Sequence, residues 1–308
     1  MQVMAAGALV ACGRAENQLL AGSNTWPGYE FLHAANRTGL LPEQRVRMMR
    51  LPSATVVREA LATGNIDAAG LTLDARAAGL PLRVIALLDI SLGADVVLAR
   101  PGLDRVEKIR GQRVCSEASA VGAVMLSAFL EAYGLQAQDV ERVYAPVDRH
   151  LAEYRNGNAS IVVTFSPVAQ ALMAEGAVRL FDSAQVSGRI MDVLVATESA
   201  IKSKPAALKQ LVAAHFLAVD SFRRDAEVLR APLAAGLGVA PGELDATFEG
   251  LAMLSVAANH EWLHGAPPAV EKSAASLATV MVKAGLLSAP PKLTDLVSTA
   301  FLPPSAKA

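Results

Sequence analysis

Short apolar runs alternate with helix-length segments along most of this chain, and then the alternation gives way to helices alone. In the first stretch, residues 19–22 form an apolar run ending in the turn-like Ser23-Asn24, and 29–38 can be helical up to Gly39. Residues 46–51 read as a strand. Pro52-Ser53 opens a helix through Ala62, which Gly64 stops, and 68–73 is apolar again. A short helix over 74–78 would take Thr72 or Asp74 as its N-cap. Residues 82–88 and 94–99 are the next two strands. The second stretch repeats the rhythm, with strands at 113–115, 140–144, 161–164, 178–181 and 193–196 around helices at 119–133, 150–156 and 166–175. From Pro205 onward a helical stripe runs through Leu208, Leu211, Val212, His215, Phe216 and Val219. Further helices follow through Ala284, broken near 236–238 and 267–268. The segments 289–292 and 303–308 are rich in Pro and Ala and read as loose.

Such alternation implies parallel sheets covered by helices. The purely apolar Ile161-Val162-Val163 fits a sheet buried on both faces. The expected class is α/β, with two α/β units at roughly 19–98 and 105–190 and a helical extension. Ligands of open α/β sheets sit at the carboxyl ends of strands, and two such units leave a cleft between them. Composition agrees. The 308 residues correspond to about two domains, and 53% hydrophobic with 19% charged residues is not a disordered chain. A net charge of −1 argues against a phosphate-neutralising nucleic-acid binder. No run of about 20 apolar residues spans a membrane as a helix. The two cysteines, Cys12 and Cys115, make neither a disulfide framework nor a cysteine-rich zinc site, and Cys115 reads as a small core hydrophobe.

Residues 1–11 are uncharged and mostly small and apolar, about right for the apolar part of a secretory signal. The run ends Leu9-Val10-Ala11-Cys12-Gly13, which is similar to the lipobox of bacterial lipoproteins. There the cysteine is acylated and becomes the new N-terminus, and several acyl chains give stable anchoring. The other reading is an apolar first helix with an incidental cysteine. Residues 14–18 would then be a tether.

The core carries a family likeness. Ser23-Asn24-Thr25-Trp26-Pro27-Gly28-Tyr29-Glu30, with Ala34-Ala35 and Gly39-Leu40-Leu41, resembles the opening of periplasmic solute-binding proteins of the nitrate/sulfonate/taurine type, the NMT1/THI5-like group. Gly64-Asn65-Ile66-Asp67-Ala68 resembles that group's helix-to-strand turn. Ser91-Leu92-Gly93-Ala94-Asp95 leads a segment similar to its crossover between lobes. Ile109-Arg110-Gly111-Gln112-Arg113-Val114 resembles the opening of its second lobe, and 181–183 with 190–195 its return crossover. The likeness covers about 20–200. One departure is Gly157-Asn158-Ala159-Ser160, where the group often carries an Asp in place of Ser160. The resemblance implies a type II periplasmic binding fold, two α/β lobes joined by crossover strands with a C-terminal helical extension. It implies 19–98 plus 193–308 as lobe one and 99–192 as lobe two. It also implies a receptor that hands a small solute to an ABC permease and its ATPase, acting as a monomer and tethered through Cys12.

Eleven candidates follow from strand ends at the cleft. Asn24 and Trp26 lie just past the first strand; the indole is a flat wall with one N–H donor, or a buried core residue. Tyr29 could reach the cleft or pack on Phe31. Ser119, Val121 and Gly122 start a helix whose free N–H groups and dipole suit an anion, or Ser119 is an ordinary N-cap. Thr72 and Asp74 follow the third strand, with Asp74 either a cap or an amine partner. Thr164 and Phe165 end a strand of the second unit. Asp89, Ser91 and Asp95 cluster ahead of the crossover, and Asp95 reads more as a structural tie, Asp192 more as a ligand contact. No catalytic set emerges from His33, His150, His215, His260 and His264. The last two could share a helix face, but a zinc site needs a third ligand. No phosphate loop and no GxSxG are present, so no cofactor or metal is expected. The acidic candidates argue for an amine or pyrimidine-like ligand and the Ser119 turn for an oxyanion. The alternatives to transport are a ligand sensor without a permease and a pyrimidine-synthesis enzyme of the THI5 type, whose cysteine-rich motif is missing here.

Overall fold

A computed structural model describes residues 18–73, 80–186, 190–283, 285 and 287–305. The proposed cap Asp74 and the lipobox cysteine Cys12 lie outside the described residues. Eleven strands among the described residues build two sheets. The first holds β1 (Leu19–Ser23), β2 (Val46–Arg50), β3 (Ala68–Thr72), β4 (Leu82–Ser91), β10 (Met191–Thr197) and β11 (Leu251–Met253) in the order β11-β4-β10-β3-β1-β2. The second holds β5 (Asp95–Ala99), β6 (Arg113–Ser116), β7 (Glu141–Tyr144), β8 (Ile161–Phe165) and β9 (Val178–Asp182) in the order β7-β6-β8-β5-β9.

The alternation of strands and helices is as the sequence implies, but the sheets are mixed rather than parallel. β1, β2 and β3 run parallel, as do β6, β7 and β8. β10 is antiparallel to both β3 and β4, and β5 is antiparallel to β8 and β9. The cause is the crossing of the chain between sheets. β4 leaves the first sheet and continues as β5 in the second, and β9 returns as β10, so the crossing strands enter each sheet reversed. The two crossings are tied together. Gly93 N donates to Ser183 Oγ at 2.7 Å, Ser91 and Ser183 hydroxyls hydrogen-bond at 2.7 Å, and Leu92 N donates to Gly250 O at 2.7 Å. Gly250 holds φ +75°, and a Cβ there would stand 2.5 Å from the Gly93 carbonyl carbon. Only glycine fits this junction.

Local signals set most helix ends. Ser53 caps α2 (Ala54–Ala62), accepting from Val56 N, and Ser119 caps α4 (Ala120–Ala132), accepting from Gly122 N. Before α2 lies α1 (Glu30–Arg37), and before α4 the short α3 (Val106–Ile109). α5 (Val147–Arg155) starts three residues earlier than the sequence implies, with Pro146 as its extended N-cap, and α6 (Val168–Ala174) follows β8. After β10 come α7 (Glu198–Ser203) and α8 (Pro205–Arg224), whose buried stripe is the expected one. Then follow α9 (Glu227–Leu237), α10 (Leu244–Thr247), α11 (Val256–Leu263) and α12 (Ala269–Lys283). The C-terminal region is therefore not helical throughout, because β11 pairs with the edge of β4. α12 packs on α4, so the extension touches helices of the second sheet as well as the first. Phe301 and Leu296 are buried near the C-terminal end, where Ser298 N donates to Val84 O at 2.9 Å.

Glu30 anchors the first unit. It is fully buried, and both Arg37 and Arg50 pair with its carboxylate. Cys115 is a buried free thiol, and burial pushes it up to about 12, in keeping with a core hydrophobe.

Candidate functional site

The two sheets face each other across a pocket with roughly 600 Å³ of space open to solvent. Its wall on the first sheet comes from the ends of β1, β3 and β10. Its opposite wall comes from the end of β8 and the start of α4. All ten described candidates meet there: Asn24, Trp26, Tyr29, Thr72, Ser119, Val121, Gly122, Thr164, Phe165 and Asp192. The rule that strand ends carry ligands brings them together from both sheets. Ala54, Asp95, Glu117, Val147, His150 and Val163 also line the pocket.

Trp26 stands in extended conformation before the turn Pro27–Tyr29. It is 4% exposed, so the core and cleft readings hold together. Its indole meets Phe165 edge-on across the cleft, ring centres 4.8 Å apart, a pairing worth about 0.5–1.5 kcal/mol beyond burial. Its Nε1–H donates to Asp89 Oδ1 at 3.2 Å and Oδ2 at 3.4 Å. The Tyr29 hydroxyl donates to Asp192 Oδ1, and Thr72 Oγ1 donates to the same oxygen at 3.0 Å. The Tyr29 ring can lie flat against β3 because Gly70 is there; a Cβ would stand 2.9 Å from the ring.

Asp192 is opposite Thr72 on one side and Asp89 on the other in the register of β10. Asp89 and Asp192 hydrogen-bond side chain to side chain, a contact that needs a proton on one of them. Burial, then the Asp192 charge, raises Asp89 well above the usual carboxylate range. Asp95 opens β5. Burial pushes its carboxyl up to about 7, against the lowering effect of a Ser91 hydrogen bond.

Across the pocket, Ser119 Oγ accepts from Gly122 N at 3.2 Å. Gly122 is required, since a Cβ would stand 2.3 Å from the Glu117 carbonyl. His150 is fully buried, and burial pulls it down to about 4. Its Nε2 lies 3.0 Å from Ala145 O and its Nδ1 3.2 Å from Thr164 Oγ1.

The sequence reading missed His150 and Glu117 and set Asp95 aside as a tie. Asp89 and Asp95 carried a signal, an acidic residue inside or beside an otherwise apolar run. His260 and His264 stack with ring centres 5.0 Å apart, and no group of three or more metal-ligating side chains exists among the described residues.

A model of the NMT1-like family matches residues 32–234. The chain is similar to the periplasmic aliphatic sulphonate binding protein SsuA from Escherichia coli, with a TM-score of 0.72 and 18% identity over 92% of each chain. It is also similar to the alkanesulfonate-binding protein SsuA from Xanthomonas axonopodis pv. citri bound to MOPS. That TM-score is 0.71 at 20% identity, over 94% of this chain and 99% of that one. The desulfurization enzyme DszB has the same fold, with a TM-score of 0.63 and 17% identity over 92% of this chain and 98% of that one. No curated protein matches the chain in sequence. The fold is that of a type II periplasmic binding protein.

Proposed function

The chain belongs to the NMT1-like family, and from that premise we propose that it is an extracytoplasmic receptor for a small organic solute, not an enzyme. The observation that carries this reading is the pocket itself, built from strand ends of two sheets and crossed by the Trp26–Phe165 contact. A solute seated there touches both walls at once. In this reading the sheets belong to two lobes, joined by the crossings at Gly93 and Ser183. The bound solute favours the closed arrangement by its greater affinity for it. The closed form then docks on an ABC permease with its ATPase. The solutes of first interest are sulfonates, nitrate, taurine and pyrimidine-like compounds. DszB shows that an enzyme can use this fold, so fold alone does not decide. The receptor reading is supported by the buried, unactivated Cys115 thiol, which offers no nucleophile to the pocket.

A thermal-shift screen of the chain from Gln18 onward tests this, with sulfonates, nitrate, carboxylates, thiamine precursors, polyamines and amino acids. A ligand at a hundred times its Kd contributes about 2.7 kcal/mol. That corresponds to a rise of roughly 4 °C in Tm for a chain of this size. The shift is expected to vanish in Trp26→Ala and Asp192→Ala. A screen with no shift from any class rejects the receptor reading.

The reading also places the mature protein at the outer face of a bacterial membrane, as a monomer anchored by acyl chains on Cys12. Labelled palmitate is expected to enter the full-length chain and to be lost in Cys12→Ala. Equal labelling of both chains would reject the anchor.

A further inference from the structure

The donors on the floor of this pocket are already committed. Trp26 Nε1–H is turned onto Asp89, and the hydroxyls of Tyr29 and Thr72 are turned onto Asp192. His150 is neutral, with a single N–H. Ala145 O can only accept, so that proton sits on Nε2. Nδ1 is then an acceptor, and the Thr164 hydroxyl donates to it. Thr164 therefore shows the pocket its lone pairs. Among the described residues, no Lys or Arg lines the pocket. The remaining donor-rich edge is the first turn of α4, and Glu117 lines the pocket beside it.

Asp95 is the decisive group. It is 2% exposed and lines the pocket, and its Oδ2 has no hydrogen-bond partner among the described residues. A buried carboxylate oxygen left without a donor is unfavourable. A ligand N–H removes that cost.

We infer that this pocket takes an organic cation bearing N–H donors, received by Asp95, rather than a sulfonate or another oxyanion. The inference rests on the receptor reading above and narrows its ligand class. A protonated amine, amidine or guanidine brings both the charge and the donors that the site lacks. Trp26 and Phe165 add aromatic surface that attracts a cation. An oxyanion would instead bring negative charge against three buried carboxyls, Asp89, Asp95 and Asp192.

Protonation gives the inference a sign. Among the described residues, the titratable groups at the pocket are Asp89 on β4, Asp192 on β10, Asp95 on β5, Tyr29 ahead of α1, Glu117 ahead of α4 and His150 on α5. With Asp95 titrating near 7, a proton competes with a cation below that pH. Apparent Kd for a cation is then about tenfold weaker at pH 6 than at pH 8. An oxyanion held by protonated Asp95 would show the opposite trend.

Two matched panels test this on the full chain at pH 8 by thermal shift. One holds amines, amidines and guanidines, the other sulfonates, carboxylates and nitrate, and hits go on to calorimetry. Expected are hits among the cations, weakened at least about tenfold in Asp95→Asn and about tenfold from pH 8 to pH 6. Hits among the anions alone overturn the cation assignment and leave the receptor standing. A cation bound equally by Asp95→Asn, or equally at both pH values, also overturns it. Silence from both panels overturns the receptor reading and this inference with it. Circular dichroism checks the variant's fold; if Asp95→Asn does not fold, the pH series on the unaltered chain decides.

Discussion

Gly28→Ala is expected to cost about 1–3 kcal/mol of stability and to abolish solute binding. The added Cβ would stand 1.9 Å from Asp89 Oδ2 and 2.6 Å from its Cγ. Asp89 cannot swing away. It is fully buried on a central strand, it accepts from Trp26, and Asp192 occupies the other side. The collision therefore pushes on the backbone of the Pro27–Tyr29 turn, and overpacking of this kind in a filled core costs the stated amount. The same push moves Trp26 and Tyr29, which define the first-sheet wall of the pocket. The glycine is needed here for close approach, not for an unusual φ. Gly242→Ala is the matched control, because its Cβ would meet no atom within 4 Å, and its effect should stay within about 0.5 kcal/mol. Urea unfolding of both variants gives the comparison. Equal stability for the two would mean that the Asp89 carboxyl does not lie against the turn.

That contact also marks where sequence reading stops. Gly28 stands in a motif whose likeness is visible in the chain, and its neighbours Trp26 and Tyr29 could be placed at a cleft because they follow a strand. Ser119, Thr164, Phe165 and Asp192 were legible for the same reason: a strand end is a local feature, and topology assigns it to the pocket. Caps such as Ser53 and the N-terminal proline of α8 were legible because their chemistry is local too. The pairing of Asp89 with Asp192 was not. It depends on the register of β10 against β4, which carries two irregularities, and no periodicity within either strand encodes it. β11 escaped notice because its three residues become a strand only by pairing with β4. The reversal of β5 and β10 was hidden because alternation reports the order of elements, not the sheet each one enters. His150 looked incidental among scattered histidines until α5 turned it toward Thr164.

Acid is expected to act on this fold through its buried histidines, and His215→Leu should expose the effect. His33, His150 and His215 are pulled down to about 3, about 4 and about 3, in each case chiefly by burial. An unfolded histidine titrates near 6.5. The unfolded chain therefore takes up more protons in the interval, so this stability is complete above about pH 6.5 and is lost as the pH falls toward 4. Asp89 and Asp95 act oppositely. Their raised folded values give a contribution present in acid and lost as pH rises above about 4, for Asp95 through about 7. Three histidines oppose two aspartates, so the net acid effect is a loss smaller than the histidines alone would give. His215 separates the terms. It is fully buried between Phe31 and Phe216, and neither ring nitrogen has a hydrogen-bond partner among the described residues. Leucine keeps most of the volume and removes two unpaired polar atoms, so His215→Leu should be more stable at pH 7 by about 1–3 kcal/mol. It also removes one proton-linked loss. From pH 7 to pH 5 the advantage should widen by about 2 kcal/mol, the 1.5 units between 6.5 and 5 at 1.36 kcal/mol each. Urea curves of both chains at the two pH values measure that difference. An advantage that stays constant would mean that His215 accepts a proton in the folded state as readily as in the unfolded one, which a ring enclosed by phenylalanines cannot do.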